Sequence, residues 1–138
     1  RQRQMCIRDR YKQEDLLKIA KIQIKNEKAN SKNNFLSIHD TDLITIKIWS
    51  NFKYNDCQKW IINEIQKQKK ENRFYLICKP DIPWVYDSQR ESPKNRKELF
   101  YIYKKQIKKI DQIFSIIRGE DRLTQAKIKI DSLIKKLQ

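Results

Sequence analysis

Two aspartates separated by one residue, Asp40 and Asp42, close a short apolar run from Phe35 to His39, and a helical pattern follows at once. Carboxylates delivered at the C-terminal end of a buried strand are what an α/β nucleotide-binding fold uses to hold magnesium or to accept a proton from an attacking hydroxyl. In that reading one aspartate can bind Mg2+ directly or through water, and its neighbour can accept a substrate hydroxyl proton. The alternative is that Asp42 caps the following helix while Asp40 accepts backbone N–H bonds. A D-x-D triplet allows both, and its place after an apolar strand favours the first.

Two arginines, Arg90 and Arg96, flank a loop-to-helix turn that also holds Asp87 and Glu91. Arginines so placed can close over a nucleotide and stabilise charge on a transferring phosphoryl group. Equally, Arg90 can pair with Asp87 or Glu91 on the surface. Among the aromatics, Trp84 falls in a proline-rich loop just past a strand pattern, where ligands of open α/β sheets bind, and it could stack on a planar ring. Trp49 and Trp60, at helical spacing, read as core residues. The chain holds a single glycine, Gly119. A glycine-rich loop whose backbone cradles phosphates therefore cannot lie within these 138 residues.

The elements that must position these groups can be read from periodicity and breakers. An amphipathic helix is expected from Tyr11 to Asn30, with Leu16, Leu17, Ala20 and Ile24 on one face. A short strand over 35–39 follows, then a helix from Thr41 to Phe52. Asn55 and Asp56 break it, and a second helix runs from Cys57 to Lys69, with Trp60, Ile61 and Ile65 turned inward. Arg73 to Cys78 reads as the next strand, stopped by Pro80 and Pro83. Ser92-Pro93 is a strong helix start, and that helix carries Leu99, Tyr103, Ile107 and Ile110 on one stripe to about Lys109. Gln112 to Ile117 is a third strand, and a last helix presents Leu123, Ala126, Ile130, Leu133 and Leu137. Strands alternating with helices imply an α/β fold with a small parallel sheet of about three strands flanked by helices.

The net charge is +15. The excess is mostly lysine on the polar faces of the expected helices, and no RNP, zinc-finger or basic-zipper motif accompanies it. Weak, salt-dependent polyanion binding is the physical expectation at this charge. A basic nucleic-acid-binding module is the second functional class to weigh, and a non-catalytic interaction domain on a nucleotide fold is the third. Cys6, Cys57 and Cys78 form no C-x-x-C pair, and with His39 the only histidine a zinc site is not expected. Cys78, inside a strand pattern, is expected to be a buried thiol. No apolar run reaches membrane length and no signal sequence is visible, which leaves the cytoplasm as the expected compartment.

The first ten residues carry four of the nine arginines and no lysine. They read as a non-native leader, and residues 11–138 as the fold.

From Tyr11 onward the chain resembles the C-terminal two-thirds of the NadR-type P-loop ATPase/kinase domain, an AAA-like family related to ribosylnicotinamide kinases. The matching pieces are Glu14 to Lys21, Asp40-Thr41-Asp42, Ile48 to Ser50 with Lys53 and Tyr54, and the Asp81-Ile82-Pro83-Trp84 loop. Asp87 with Arg90, Arg96 with Leu99 and Phe100, and Arg118-Gly119 with Arg122-Leu123 complete it. The resemblance implies ATP and Mg2+ as cofactors and transfer of phosphoryl to a hydroxyl of a nucleoside-like small molecule, nicotinamide riboside in the best-known members. It implies catalytic roles for Asp40, Asp42, Arg90 and Arg96, a substrate pocket shaped by Trp84, Tyr54 and Asp87, and magnesium at Asp40. The family's Walker A loop has no counterpart, so the chain reads as an N-terminally truncated form, inactive by itself. Lys79 stands where relatives more often carry an acid.

Overall fold

The computed structural model describes residues 12–83 and 95–138. The chain divides into two compact units, one ending at Glu71 and one running from Asn72 to Gln138.

The first unit is helical. Helix α1 (Gln13–Ser31) begins where the Asp15 carboxylate accepts the Lys12 backbone N–H at 2.9 Å, satisfying one of the donors that a helix start leaves free. It packs on α2 (Leu43–Tyr54) and α3 (Lys59–Gln68). The core they share is built from Leu16 and Ala20 of α1, Leu43, Ile44, Ile46 and Ile48 of α2, and Ile61 and Ile65 of α3, all buried. On α1 and α3 these positions are four residues apart, as one buried helix face requires, whereas α2 buries Leu43, Ile44, Ile46 and Ile48 on more than one side. Helix α2 ends at Asn55, which adopts the left-handed conformation (φ 53°) and donates its N–H to the Asn51 carbonyl at 2.9 Å. Asparagine tolerates that conformation better than most residues, so the break expected at Asn55-Asp56 is a helix C-cap. The turn is fastened by the Ser50 hydroxyl, which donates to the Asp56 carbonyl at 2.6 Å.

The second unit is a βαβ arrangement with one further helix. Strands β1 (Phe74–Cys78) and β2 (Ile113–Ile117) pair in parallel, in register from Phe74 with Ile113 to Cys78 with Ile117. Helix α4 (Arg96–Lys109) lies between them in sequence and contacts both strands, burying Ile107 and, just past its end, Ile110. Helix α5 (Arg122–Leu137) packs on β2. Its expected stripe is only partly covered: Ala126, Ile130 and Leu133 are half-buried, and Leu123 and Leu137 are exposed.

The α/β class and the parallel pairing are as expected, with five helices among the described residues. The expected third strand is not. Residues 35–39 form no strand, and the described sheet has two. Phe35 is 68% exposed and Ile38 75%, so the run has no buried face to fix a register. Local side-chain bonds hold the segment instead. The Asn34 amide donates to the Asn30 carbonyl at 2.6 Å, and hydroxyl contacts of 3.0 Å link Ser31 to Ser37 and Ser37 to His39 Nε2. Short polar side chains that bond their own neighbourhood compete with ladder formation.

Cys78 is a second correction. It ends β1 and is exposed, and Cys57, just past α2, is the buried thiol. Burial pushes the Cys57 pKa up, against the opposing pull of Lys47 and a hydrogen bond from Ser50.

Candidate functional site

The Asp40-Thr41-Asp42 triplet enters α2 through a strained backbone. Thr41 has φ 72°, an outlier for a β-branched residue. The buried Gln23 side chain of α1 donates its amide to the Thr41 carbonyl at 3.2 Å and also to Glu27 Oε1 at 3.3 Å. On the other side Asp42, buried, accepts the Ile44 N–H through Oδ1 at 3.0 Å and caps α2. The two carboxylates are thus unlike. Asp42 is committed to the helix end and Asp40 is exposed. Strain of this kind persists only where surrounding contacts over-determine it, and it clusters at sites that bind or react.

Tyr54 is the last residue of α2 and Asp42 precedes its first, so about 18 Å of helix separates them. Burial raises the Tyr54 hydroxyl pKa, with Asp15 adding to the rise, and Lys53 Nζ stands 5.6 Å from its ring centroid. Just past α2, Asp56 Oδ2 accepts the Gln13 amide from the start of α1 at 3.3 Å.

In the α/β unit the carboxyl ends of the parallel strands carry a second group, and its centre is Asp81. The ladder continues one step beyond β1, where the Lys79 N–H donates to the Ile117 carbonyl at 2.8 Å. Past that point Asp81 Oδ2 accepts the Gly119 N–H at 2.8 Å, and Asp81 Oδ1 pairs with the Arg122 guanidinium. Arg122 also donates to the Lys79 carbonyl and, through Nε, to the Gly119 carbonyl, both at 2.9 Å. Four residues from the two strand ends are locked together. The Gly119 N–H, more than the Arg122 charge, lowers the Asp81 pKa. Gly119 takes φ 69°, the conformation that favours glycine. Gln125 braces the same turn: its Oε1 accepts the Arg118 N–H at 3.1 Å, and its amide donates to the Glu120 carbonyl at 3.1 Å.

Arg96, the first residue of α4, donates to the Ile82 carbonyl at 2.6 Å, so it holds the start of the loop that leaves Asp81. Trp84, Asp87 and Arg90, and the Ser92-Pro93 helix start, lie outside the described residues. Asp40, Asp42 and Tyr54 belong to the helical unit and Arg96 to the α/β unit.

In the sequence Asp81 and Arg122 stand out only as parts of the Asp81-Ile82-Pro83-Trp84 and Arg122-Leu123 motifs. The signal that could have joined them is topological: an acid two to three residues past one strand and an arginine at the helix start after its parallel neighbour meet at one sheet edge.

In open α/β sheets ligands bind outside the carboxyl ends of the strands, which is where this unit carries the Asp81–Arg122 pair. A family model described as an AAA domain matches residues 1–122, and the chain belongs to that family, a class of P-loop NTPase domains. No curated protein and no solved structure matches it. Among the described residues, no helix is long and apolar enough to cross a membrane.

Proposed function

We propose that this domain belongs to a phosphoryl-transfer enzyme that uses Mg-ATP and passes the γ-phosphoryl to a hydroxyl of a small nucleoside, nicotinamide riboside being the acceptor its motifs resemble most. The observation that carries the reading is the carboxyl end of the parallel sheet. There Asp81 and Arg122 fasten the loop leading toward Trp84, Asp87 and Arg90 in a chain of the AAA domain family.

The residues present fit a magnesium ion that arrives on nucleotide phosphates. Magnesium typically takes one or two carboxylates besides phosphate oxygens and water, and the exposed Asp40 carboxylate can supply one. The ion, when bound, neutralises charge on the phosphates. Asp40, exposed and set on a strained turn, is the carboxylate free to serve it or to accept the acceptor hydroxyl's proton. Asp42 supports Asp40 by fixing the start of α2. By the family resemblance, Arg96 and Arg90 are assigned to compensating phosphoryl charge, and Trp84, Tyr54 and Asp87 to recognising the acceptor. The backbone phosphate cradle has no fit within these residues, which hold one glycine.

The test is calorimetry and tryptophan fluorescence on the 138-residue chain. Nicotinamide riboside is expected to bind and quench tryptophan emission, and ATP to bind no tighter than millimolar. Micromolar ATP binding would refute the assignment of the missing cradle. Saturable binding of a different nucleoside, with none of nicotinamide riboside, would reassign the acceptor.

A further inference from the structure

Helix α4 turns two different faces to its surroundings. One buries Ile107 toward the strands. The other carries Tyr101, Lys104, Lys105, Lys108 and Lys109, which together line a shallow depression of about 440 Å³. Tyr101 is 65% exposed. None of the four lysines has a carboxylate partner among the described residues. Two of them lie over aromatic rings: Lys104 Nζ is 5.4 Å from the Phe100 centroid and 5.5 Å from that of Tyr101, and Lys108 Nζ is 5.9 Å from that of Phe114.

Lys104 with Lys108, and Lys105 with Lys109, are like charges one helical turn apart, an arrangement that destabilises a helix. The last two complement the negative end of the helix dipole. That explanation does not extend to Lys104 and Lys105, a turn earlier. A polyanion laid along the depression would remove the repulsion at all four.

We propose that this face of α4 is a binding site for single-stranded nucleic acid, with the lysines on successive phosphates and Tyr101 stacking on a base. The stripe from Tyr101 to Lys109 is about 12 Å long, room for about four stacked nucleotides. An aromatic beside a row of cations is how sequence-tolerant single-strand sites are built. An anionic lipid surface fits less well. A helix that enters a bilayer interface offers its apolar face to the acyl chains, and here α4 contacts both strands, with Ile107 buried and Leu99, Ile102 and Tyr103 half-buried. The site is separate from the proposed phosphoryl-transfer site and stands without it.

The experiment is fluorescence anisotropy of the full chain with a labelled oligothymidylate across a salt series. It is run in parallel with sedimentation against phosphatidylserine–phosphatidylcholine vesicles. Replacing Lys104 and Lys108 together by Gln is expected to lower affinity by on the order of tenfold and to flatten the log K against log salt slope by about 1.4. The control, Lys127→Gln with Lys129→Gln on α5, removes the same charge and is expected to change affinity less than about twofold. Tyr101→Ala is expected to weaken binding about fivefold with the salt slope unchanged, and Tyr101→Phe to restore it. Equal losses in the two lysine pairs would reduce the binding to generic electrostatics and overturn the site. So would an unaltered Tyr101→Ala, or vesicle binding that depends on Lys104 and Lys108 while oligothymidylate binding does not. Circular dichroism confirms that each variant is folded.

Discussion

The carboxylate of Asp81, just past β1, is held by the guanidinium of Arg122, which opens α5 just past β2. Residues 41 positions apart in sequence are thereby fixed at one end of the parallel pair. The Gly119 N–H completes the contact. The lowered Asp81 pKa makes this a titratable device. At neutral pH the carboxylate is charged and both bonds are made. As pH falls through the lowered pKa, the acceptor is protonated and the contribution is lost. The Gly119 amide proton shift is expected to titrate with a midpoint below that of an ordinary aspartate and to be flat in Asp81→Asn. The Arg122 pair is partly exposed, so salt weakens it more than it weakens the amide bond.

Gly119→Ala probes the same turn from the backbone. No atom lies within 4 Å of the added methyl, so the cost is conformational alone. A destabilisation of about 1 kcal/mol is expected by chemical denaturation, with Gly119→Asn milder.

Asp40 and Asp42 separate by stability. Asp42→Ala removes a helix cap and is expected to cost about 1 kcal/mol, with Asp42→Asn retaining most of it. Asp40→Ala, at an exposed position, is expected to leave the unfolding midpoint within error. Equal losses from the two would show that Asp40 also supports the fold.

Thr41 carries the strain between them. Thr41→Gly is expected to stabilise the fold by about 0.5–1 kcal/mol, because glycine accepts the positive φ that threonine resists. A gain in stability with weakened nicotinamide riboside binding would be the signature of strain retained for function.

The thiols give a further contrast. At mildly alkaline pH, Cys78 is expected to react readily with a disulfide reagent and Cys57 only on unfolding, since burial keeps the Cys57 thiol protonated. The raised pKa also carries a stability sign. Its contribution is intact below the ordinary cysteine pKa and is lost as pH rises through the higher folded value.

What the sequence revealed follows from how local each signal is. The Phe74–Cys78 and Ile113–Ile117 strands were legible because each is a short apolar run bounded by turn residues. The α2 stop was legible because asparagine at position 55 has a local reason to leave the helix. Residues 35–39 misled because three apolar residues in five mimic a strand when nothing shows whether a neighbour covers them. Cys78 misled because a strand pattern says that alternate residues are buried, not that the last one is. Gln23 under Thr41, and Arg122 on Asp81, were illegible for a different reason: each contact joins residues far apart in sequence, and only the packing of helices and the pairing of strands brings them together.

The parallel ladder also sets an order of assembly. Arg73 meets Gln112 across 39 residues at its entrance, and every rung beyond it closes an equally long excursion of the chain. Closing such an excursion costs about 3 kcal/mol in chain entropy before any rung repays it. The helices from Gln13 to Gln68 join through connections of eleven and four residues, whose closure costs about 1–2 kcal/mol, less than the excursion between the strands. During refolding they are expected to gain amide protection first, while the edge bearing Asp81 matures last and limits the rate at which the molecule becomes competent.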